Sequence, residues 1–423
     1  MTTRTLTGWI KDAGRAFYGR IDWDERGIIT GVEELPCGDS APPEQTPIIT
    51  AGLFNAHSHP EQSIYTDMVD KSWDLGTWCR QTIYKYSTSM TPRRVRLACR
   101  RAFARMLRFG TTSVMVSYYL HCGQDNECDR EVIAAARDVG IRLIFGRMNY
   151  DIITENAYEA KKESQRSYYE SISQAERNVR ALSELENTTL MVCPALHSMH
   201  ASTAEAIAAG IRLGFEMKRP VQFHLSEDQG DVSLSIQEHG CRPMVFLQRI
   251  LDQGEIPSLS HLILSDCCWL DDEELDIIAA HGMKVVLNPR MNARVKTGFP
   301  DVAAMTAHGI PLWCGTDGEA SNDSLNVEDE KTFLKERCAS SVAPTTIDAI
   351  GTLPFAFGAG HVGRLQKGAW ADIRIMRGEC AETAYVGGIP VLENGQLCRL
   401  DEERDIETPL KEEIALMTAG MPS

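Results

Sequence analysis

Eight short apolar segments alternate with stretches of helical periodicity along most of this 423-residue chain. The segments span residues 48–54, 111–116, 141–145, 189–192, 221–225, 261–264, 284–287 and 311–314. Each has the length of a buried strand, and several are followed by an amphipathic stretch long enough for a helix. Strand–helix alternation repeated eight times is typical of a (β/α)₈ barrel. We therefore predict an α/β fold with a TIM barrel as its main domain.

The residues on either side of this region follow a different pattern. Short β-type segments separated by Gly, Asp and Asn turns occur before residue 50 and again after residue 363. The simplest arrangement is a barrel inserted between two halves of a small β-sandwich. The predicted domains are residues 51–363 for the barrel, and residues 1–50 with 364–423 for the β-sandwich.

Composition restricts the partners of the chain. With 43 Lys and Arg against 59 Asp and Glu, its net charge is -16, which repels nucleic-acid phosphates and anionic membrane surfaces. No apolar run approaches the ~18 residues of a membrane span, and residues 1–10 lack the apolar region of a signal peptide. The 13 scattered cysteines are typical of reduced thiols. We expect a cytoplasmic protein with neither nucleic-acid nor membrane partners.

Candidate metal ligands follow three of the predicted strands. His57 and His59 end the first strand, and residues two apart on a strand point the same way. His224 ends the fifth strand and Asp317 the eighth. Because barrel strands end at one mouth, these four side chains can form a mononuclear site with a position left for water. A metal would lower the pKa of that water, and Glu227 would transfer its proton.

The motifs around these residues resemble those of the amidohydrolase superfamily. Within it, the chain is most similar to the group of triazine hydrolases, guanine deaminases and S-adenosylhomocysteine deaminases. The motifs are AGLFNAHSH at 51–59, FHLSE at 223–227, LNP at 287–289 followed by Asn292, GTDG at 315–318 and KGAWADI at 367–373. Together they extend over nearly the whole chain, and they do not specify a substrate.

The resemblance implies a metal-dependent hydrolase, and most simply a deaminase, that cleaves a C–N bond of a nitrogen heterocycle. It implies one divalent metal, Zn²⁺ or Fe²⁺, held by His57, His59, His224 and Asp317, with Glu227 as the proton shuttle. It also implies a small heterocyclic substrate and a homo-oligomer.

One position departs from the family pattern. The family usually carries a histidine at the end of the sixth strand, and the matching residue here is Asp266. We take Asp266 as a second catalytic candidate. An aspartate there brings another carboxylate close to Glu227, where it can accept a hydrogen bond from an amino or amidine group or ligate the metal. It can also signal a changed reaction or a lost one.

The loops after the strands supply candidate substrate contacts. Aromatic, amide and imidazole groups around a metal are suited to a planar heterocycle. The candidates are Gln62, Trp78, Tyr118, Asn149, His197 and Asn292.

Two alternatives to a deaminase remain open at this point. The first is a hydrolase of the same fold that releases a halide or opens a cyclic amide. The second is a non-catalytic relative that acts through protein interactions. Only Asp266 supports the second alternative, because all four metal ligands and Glu227 are present.

Overall fold

The structure is a computed structural model that describes residues 3–12, 14–37, 41–121 and 125–419. Its strands, in chain order, are β1 (Arg4–Asp12), β2 (Arg15–Trp23), β3 (Ile29–Glu34), β4 (Ile48–Ala51), β5 (Leu53–Ser58), β6 (Thr111–Tyr118), β7 (Arg142–Asn149), β8 (Leu190–Leu196), β9 (Val221–Leu225), β10 (Leu262–Asp266), β11 (Lys284–Leu287), β12 (Leu312–Cys314), β13 (Phe355–Phe357), β14 (Gly360–Val362), β15 (Ile373–Arg377), β16 (Cys380–Val386), β17 (Ile389–Glu393) and β18 (Gln396–Leu397).

The helices lie mostly between the strands β5 to β12. They are α1 (Leu75–Gln81), α2 (Ile83–Tyr86), α3 (Pro92–Arg108), α4 (Glu127–Val139), α5 (Glu159–Tyr168), α6 (Ile172–Ser183), α7 (Ala204–Met217), α8 (Gln229–His239), α9 (Pro243–Asp252), α10 (Asp272–Ala280), α11 (Pro289–Arg294), α12 (Val302–Ala307), α13 (Glu319–Asn322), α14 (Val327–Arg337), α15 (Pro344–Ala349) and α16 (Thr408–Ala419). Short 3₁₀ segments at Pro60–Met68 and Ser87–Ser89 and a π-helical turn at Glu403–Glu407 complete the set. Within the described residues, no helix combines the length and the apolar character that a bilayer crossing needs.

Strands β5 to β12 form the barrel. They lie side by side in chain order and pair in parallel, each with the next. The barrel closes where the backbone N–H groups of Thr316 and Asp317 donate to the carbonyl oxygen of His57, both at 3.1 Å. The predicted (β/α)₈ barrel is therefore confirmed.

Side-chain alternation along the strands separates the inside of the barrel from its outer layer. On β11, Val286 packs inside with Ile263 and Trp313, whereas Val285 and Leu287 pack in the outer apolar layer. Apolar side chains thus make up much of the barrel interior, where the buried Gln222 lies beside Met115, and the candidate catalytic groups lie at the strand ends.

The first predicted strand, residues 48–54, is two strands in the structure. Strand β4 belongs to the small sheet and β5 to the barrel, with Gly52 between them. At Gly52 a Cβ atom would lie 2.0 Å from Thr112 Oγ1, so a larger residue does not fit where the chain passes between the sheets. The hydrophobic run is continuous because both strands are buried, and for that reason it hides the boundary.

The small sheet takes its strands from both ends of the chain. Its order is β18-β17-β16-β15-β4-β1-β2-β3. Strand β4 lies in the middle, parallel to β1 and antiparallel to β15. This agrees with a separate β-domain formed by both terminal segments, while the domain boundaries given above stay a prediction.

A buried ion pair joins the barrel to the small sheet. Arg142, the first residue of β7, donates from Nε and Nη2 to the two carboxylate oxygens of Asp372, at 2.7 and 2.8 Å. The guanidinium lies over the rings of Phe357 and Trp370, at 4.8 and 4.5 Å from their centroids. Asp372, next to β15, also accepts from the backbone N–H of Gly387 at 2.7 Å. Both charges are therefore paired in a site closed to water.

Candidate metal centre and active site

Three histidines meet at the mouth of the barrel. His57 and His59 lie at the end of β5, and His224 lies near the end of β9. The Nε2 atom of His224 is 3.2 Å from that of His57 and 3.3 Å from that of His59. All three side chains are buried, and their possible ligand atoms lie within 4.8 Å of one another. The structure thus brings together the three histidines that the sequence selects.

Hydrogen bonds at Nδ1 fix the tautomers of two of these rings. Gln222 donates its Nε2 to the backbone oxygen of Ala56 at 2.8 Å, so its Oε1 must accept from His57 Nδ1 at 2.9 Å. His224 Nδ1 donates to the carbonyl oxygen of His197 at 2.7 Å. With the proton on Nδ1, each Nε2 presents a lone pair to the centre of the cluster.

Asp317 supplies a carboxylate at the same point. It follows β12 with a backbone φ of 55°, and its Oδ1 lies 3.5 Å from His57 Nε2 and 3.3 Å from His59 Nε2. Burial opposes its ionisation, but His59 and His57 hold the pKa of Asp317 well below its usual range. Within the described residues, this Oδ1 is buried without a hydrogen-bond donor. A buried carboxylate oxygen in that state needs a cation.

These four side chains fit a divalent metal. Burial lowers the pKa of His59 to about 3 and also lowers that of His224, so both rings are neutral. Burial opposes protonation of His57 as well, but the hydrogen bond and charge of Asp317 outweigh burial and raise the pKa of His57. Facing Nε2 lone pairs about 3 Å apart repel one another unless a cation lies between them. Three imidazoles and one carboxylate are a ligand set that zinc uses.

Glu227 lies beside this cluster, two residues after the end of β9. It is half-buried and lines the same cavity as His59, His224 and Asp317. Burial, followed by the nearby carboxylates of Asp266 and Asp317, raises the pKa of Glu227 well above its usual range. A carboxyl group placed beside a metal cluster in this way is positioned for general acid–base chemistry.

Asp266 ends β10 and faces the same cavity. It is fully buried with a backbone φ of 74°, in the left-handed region that aspartate tolerates better than most residues. Its Oδ1 accepts from Asn288 Nδ2 at 2.8 Å and from Asn292 Nδ2 at 3.2 Å. Its Oδ2 has no hydrogen-bond donor within the described residues. Two amide groups thus hold one oxygen, and the other remains available to a bound molecule.

The cavity above the cluster has a volume of about 440 Å³. Among the predicted substrate contacts, Gln62, Trp78 and His197 line it. The indole Nε1 of Trp78 donates to the backbone of Ala320 at 3.2 Å, which fixes the orientation of that ring. Burial lowers the pKa of His197 well below its usual range, so the ring is neutral.

The structure places the other three candidates outside the cavity lining. Tyr118 packs against Phe145, with 5.8 Å between ring centroids, and Asn149 lines a small separate cavity of about 30 Å³. Both lie one residue before the side chains that line the active-site cavity, Tyr119 and Tyr150. Successive side chains at a strand end point to opposite sides of the barrel wall. A prediction that is wrong by one residue therefore selects a side chain on the other side of the wall.

Asn292 has a different position from the one predicted. It is fully buried behind Asp266 and donates to that carboxylate and, at 3.1 Å, to Thr297 Oγ1. Its amide therefore positions Asp266, whereas the sequence predicts a substrate contact at this residue.

Sequence reasoning missed two groups of residues at the site. Gln222 orients His57, and its position two residues before His224 places it on the same face of β9, so strand parity could have revealed it. The second group is a set of tyrosines from separate loops and helices that line the cavity. Its members are Tyr84, Tyr119, Tyr150, Tyr158 and Tyr168. Only the fold brings these tyrosines together.

Comparison with known families agrees with this geometry. The sequence profile of the amidohydrolase family matches residues 48–393, which is most of the chain. The protein belongs to the amidohydrolase family. As the resemblance of its motifs implies, this amidohydrolase is a metal-dependent hydrolase, and its relatives act on C–N bonds.

Two curated relatives of this amidohydrolase are deaminases. The 5'-deoxyadenosine deaminase of Methanopyrus kandleri is 25% identical over 390 residues, which cover 85% of this chain and 84% of the relative. The 5-methylthioadenosine/S-adenosylhomocysteine deaminase of Syntrophobacter fumaroxidans is 26% identical over 340 residues, or 78% and 72% of the two chains.

Two solved structures share the fold of this amidohydrolase. An adenosine deaminase from Xanthomonas campestris with bound zinc superposes with a TM-score of 0.80 at 20% identity, covering 98% of each chain. Atrazine chlorohydrolase from Arthrobacter aurescens TC1, complexed with zinc, has a TM-score of 0.80 at 17% identity and covers 97% of this chain and 99% of its own. Both structures therefore support the fold assigned above.

Proposed function

We propose that this amidohydrolase is a deaminase of 6-aminopurine nucleosides. The observation that carries the proposal is the position of Glu227 and Asp266, two carboxyl groups at the floor of an aromatic cavity beside the histidine cluster. The curated relatives named above act on adenine nucleosides, which supports this substrate class.

The proposed reaction adds water across the C–N bond and releases ammonia. His57, His59, His224 and Asp317 would hold a divalent metal, which when bound would supply Lewis-acid chemistry and lower the pKa of a water molecule towards neutrality. Glu227 takes a proton from the water and delivers it to the departing amino nitrogen. The carboxylate of Asp266 accepts a hydrogen bond from the exocyclic amino group. An ionised carboxylate can accept hydrogen bonds but cannot donate them.

Asp266 also favours an amine over a halide as the leaving group. A chlorine substituent offers no N–H group to this carboxylate, and the buried oxygen would then remain without a donor. A site that pairs with a substrate donor rejects an analogue lacking it, because its own polar group is left unpaired.

The remaining assignments are proposals of the same kind. The metal is Zn²⁺ or Fe²⁺, since nitrogen and oxygen ligands are suited to both. Gln62, Trp78 and His197 contact the substrate. The protein is a cytoplasmic homo-oligomer, and the cytoplasm is supported by the described cysteines, all of which are free thiols.

Ammonia release from a substrate panel tests the proposal. Zinc-loaded protein is incubated with adenosine, 5'-deoxyadenosine, 5'-methylthioadenosine, guanine and a chlorotriazine, and ammonia and chloride are both measured. We expect ammonia from the adenine nucleosides and no chloride, with Glu227→Gln as the control for a contaminating activity. Faster chloride release, or no ammonia from any of the three adenine nucleosides although zinc is bound, would contradict the proposal.

A further inference from the structure

A second cavity, here called the basal cavity, lies at the opposite end of the barrel from the active site. Its volume is about 660 Å³, and its lining includes Pro220, His261 and Lys284. These residues lie where β9, β10 and β11 begin, whereas the active site lies where the barrel strands end. The basal cavity therefore shares no wall residue with the catalytic centre.

The walls of the basal cavity are largely apolar and aromatic. Trp313 and Phe355 form part of the lining, with ring centroids 6.0 Å apart. Phe215 at the rim is 51% exposed, and its ring lies 5.9 Å from that of His261. An aromatic side chain left this exposed at the edge of a cavity marks a surface suited to an apolar or aromatic ligand.

The charged groups of the basal cavity all have one sign. Lys218, Arg219 and Lys284 line it, and no Asp or Glu does, although the chain carries a net charge of -16. Arg219 is paired with Glu186 at 2.6 Å. Within the described part of the chain, Lys218 and Lys284 have no ion-pair partner. Lys218 follows the C-terminus of α7, where the helix dipole already favours a cation. The half-buried Lys284 has no such explanation, and it is therefore the stronger indication of an anionic ligand.

We infer that the basal cavity binds a small aromatic acid. The ring packs against the aromatic wall, and the carboxylate pairs with Lys284 and Lys218 at the rim. The cavity volume lies within the range of small-molecule sites, about 300–1,000 Å³. A cationic ligand is disfavoured because it would meet the two unpaired lysines, Lys218 and Lys284, and a neutral ligand would leave the half-buried Lys284 without a counter-charge. The inference is independent of the proposed deaminase activity.

Isothermal titration calorimetry with a matched pair of probes tests the inference on the full, metal-loaded chain. The probes are 1-naphthylacetate and its neutral counterpart 1-naphthylacetamide, which share the ring and differ in charge. We expect one molecule of the acid per chain, bound at least about fivefold more tightly than the amide, since a partly exposed charge pair contributes about 1 kcal/mol.

Variants then locate the bound acid. Lys284→Glu should weaken binding of the acid about tenfold or more and leave the amide unchanged, because it replaces attraction by repulsion. Phe215→Ala should weaken both probes. Lys11→Glu makes the same charge change on β1, away from the cavity lining, and should alter neither. Arg80→Glu reports on the active-site cavity, whose lining includes Arg80, and should also leave binding of the acid unchanged.

Three outcomes would overturn the inference. One is equal affinity for acid and amide, or no binding of either probe. Another is loss of acid binding in Arg80→Glu but not in Lys284→Glu, which would place the acid in the active-site cavity. The third is dissociation of an oligomer by Phe215→Ala in sedimentation experiments, which would show that a second copy of the chain covers this face.

Discussion

Replacing Asp266 by Asn tests the residue at which this chain departs from its family. Oδ1 of Asp266 is held by two amide donors, Asn288 and Asn292. An asparagine at 266 must keep its oxygen on that side to satisfy both donors. Its NH₂ group then occupies the position of Oδ2 and turns an acceptor for the substrate into a donor.

The size of the effect follows from the type of hydrogen bond that is lost. A hydrogen bond to a charged group contributes about 1.5–3 kcal/mol, which corresponds to roughly 10- to 150-fold in kcat/KM. A donor facing the amino group of the substrate adds repulsion, so tenfold is the lower limit for adenosine. Thermal stability should change little, because shape and both internal hydrogen bonds are kept.

The assay compares kcat/KM for adenosine and for a purine nucleoside with a halide substituent in place of the amino group. Metal content and the unfolding midpoint are measured on the same samples. Asp228→Asn is a matched control, since it removes a carboxylate from the same cavity while an asparagine can still cap α8. The Asp228→Asn variant should retain the wild-type ratio of kcat/KM between the two substrates. Asp266→His should move preference towards substrates with a carbonyl group.

Two results would refute this reasoning. If Asp266→Asn keeps both its rate and its selectivity within about twofold, the carboxylate does not contact the substrate; this limit lies below the tenfold expected for a charged hydrogen bond. If the variant unfolds and its selectivity is unchanged, the role of Asp266 is structural.

Four further changes have defined outcomes. His57→Ala should lose the metal, as measured by mass spectrometry of the purified protein, because a four-ligand site without one ligand binds far more weakly; activity without metal would contradict the assignment. Glu227→Gln should lower kcat by about 10²–10⁴-fold while the metal stays bound, and a smaller loss would assign the proton transfer to another group. Asp372→Asn should lower the free energy of unfolding by about 3–5 kcal/mol in urea titrations, because it leaves the buried guanidinium of Arg142 without its counter-charge; a loss below about 1 kcal/mol would show that water reaches the pair. Burial raises the pKa of Glu330 from 4.5 to about 7, so the folded protein binds this proton more tightly than the unfolded chain does, and its contribution to stability is lost as pH rises through that interval. In the Glu330→Gln variant, the free energy of unfolding should depend less on pH between pH 4.5 and about 7. The same pH dependence as in the wild type would contradict this.

The sequence predicts the barrel and the metal cluster well because both depend on local patterns. Strand–helix alternation places His57, His59, His224 and Asp317 at strand ends, and parallel strands of a barrel all end at one mouth. No long-range information is needed to infer that their side chains converge there.

The cavity walls are harder to predict because they depend on strand parity and on loops. Tyr118 and Asn149 were each selected one residue too early, and an error of one residue reverses the direction of a strand side chain. Tyr84 of α2 and Tyr168 of α5 reach the cavity only through the tertiary packing of these two helices, which the sequence pattern does not reveal. The split at Gly52 was hidden for a related reason, since two buried strands in succession look like one.

The position of β4 imposes an order on the folding of this protein. Strand β4 emerges from the ribosome before any barrel strand, but its partner β15 follows the entire barrel. During translation one edge of β4 therefore carries backbone donors and acceptors with no neighbour, and such an edge is a template for pairing with another chain. Since domains generally fold in the order of their synthesis, the barrel must close before the small sheet is complete. Until β15 has been synthesised, this edge of β4 therefore stays open to pairing with a strand of another chain.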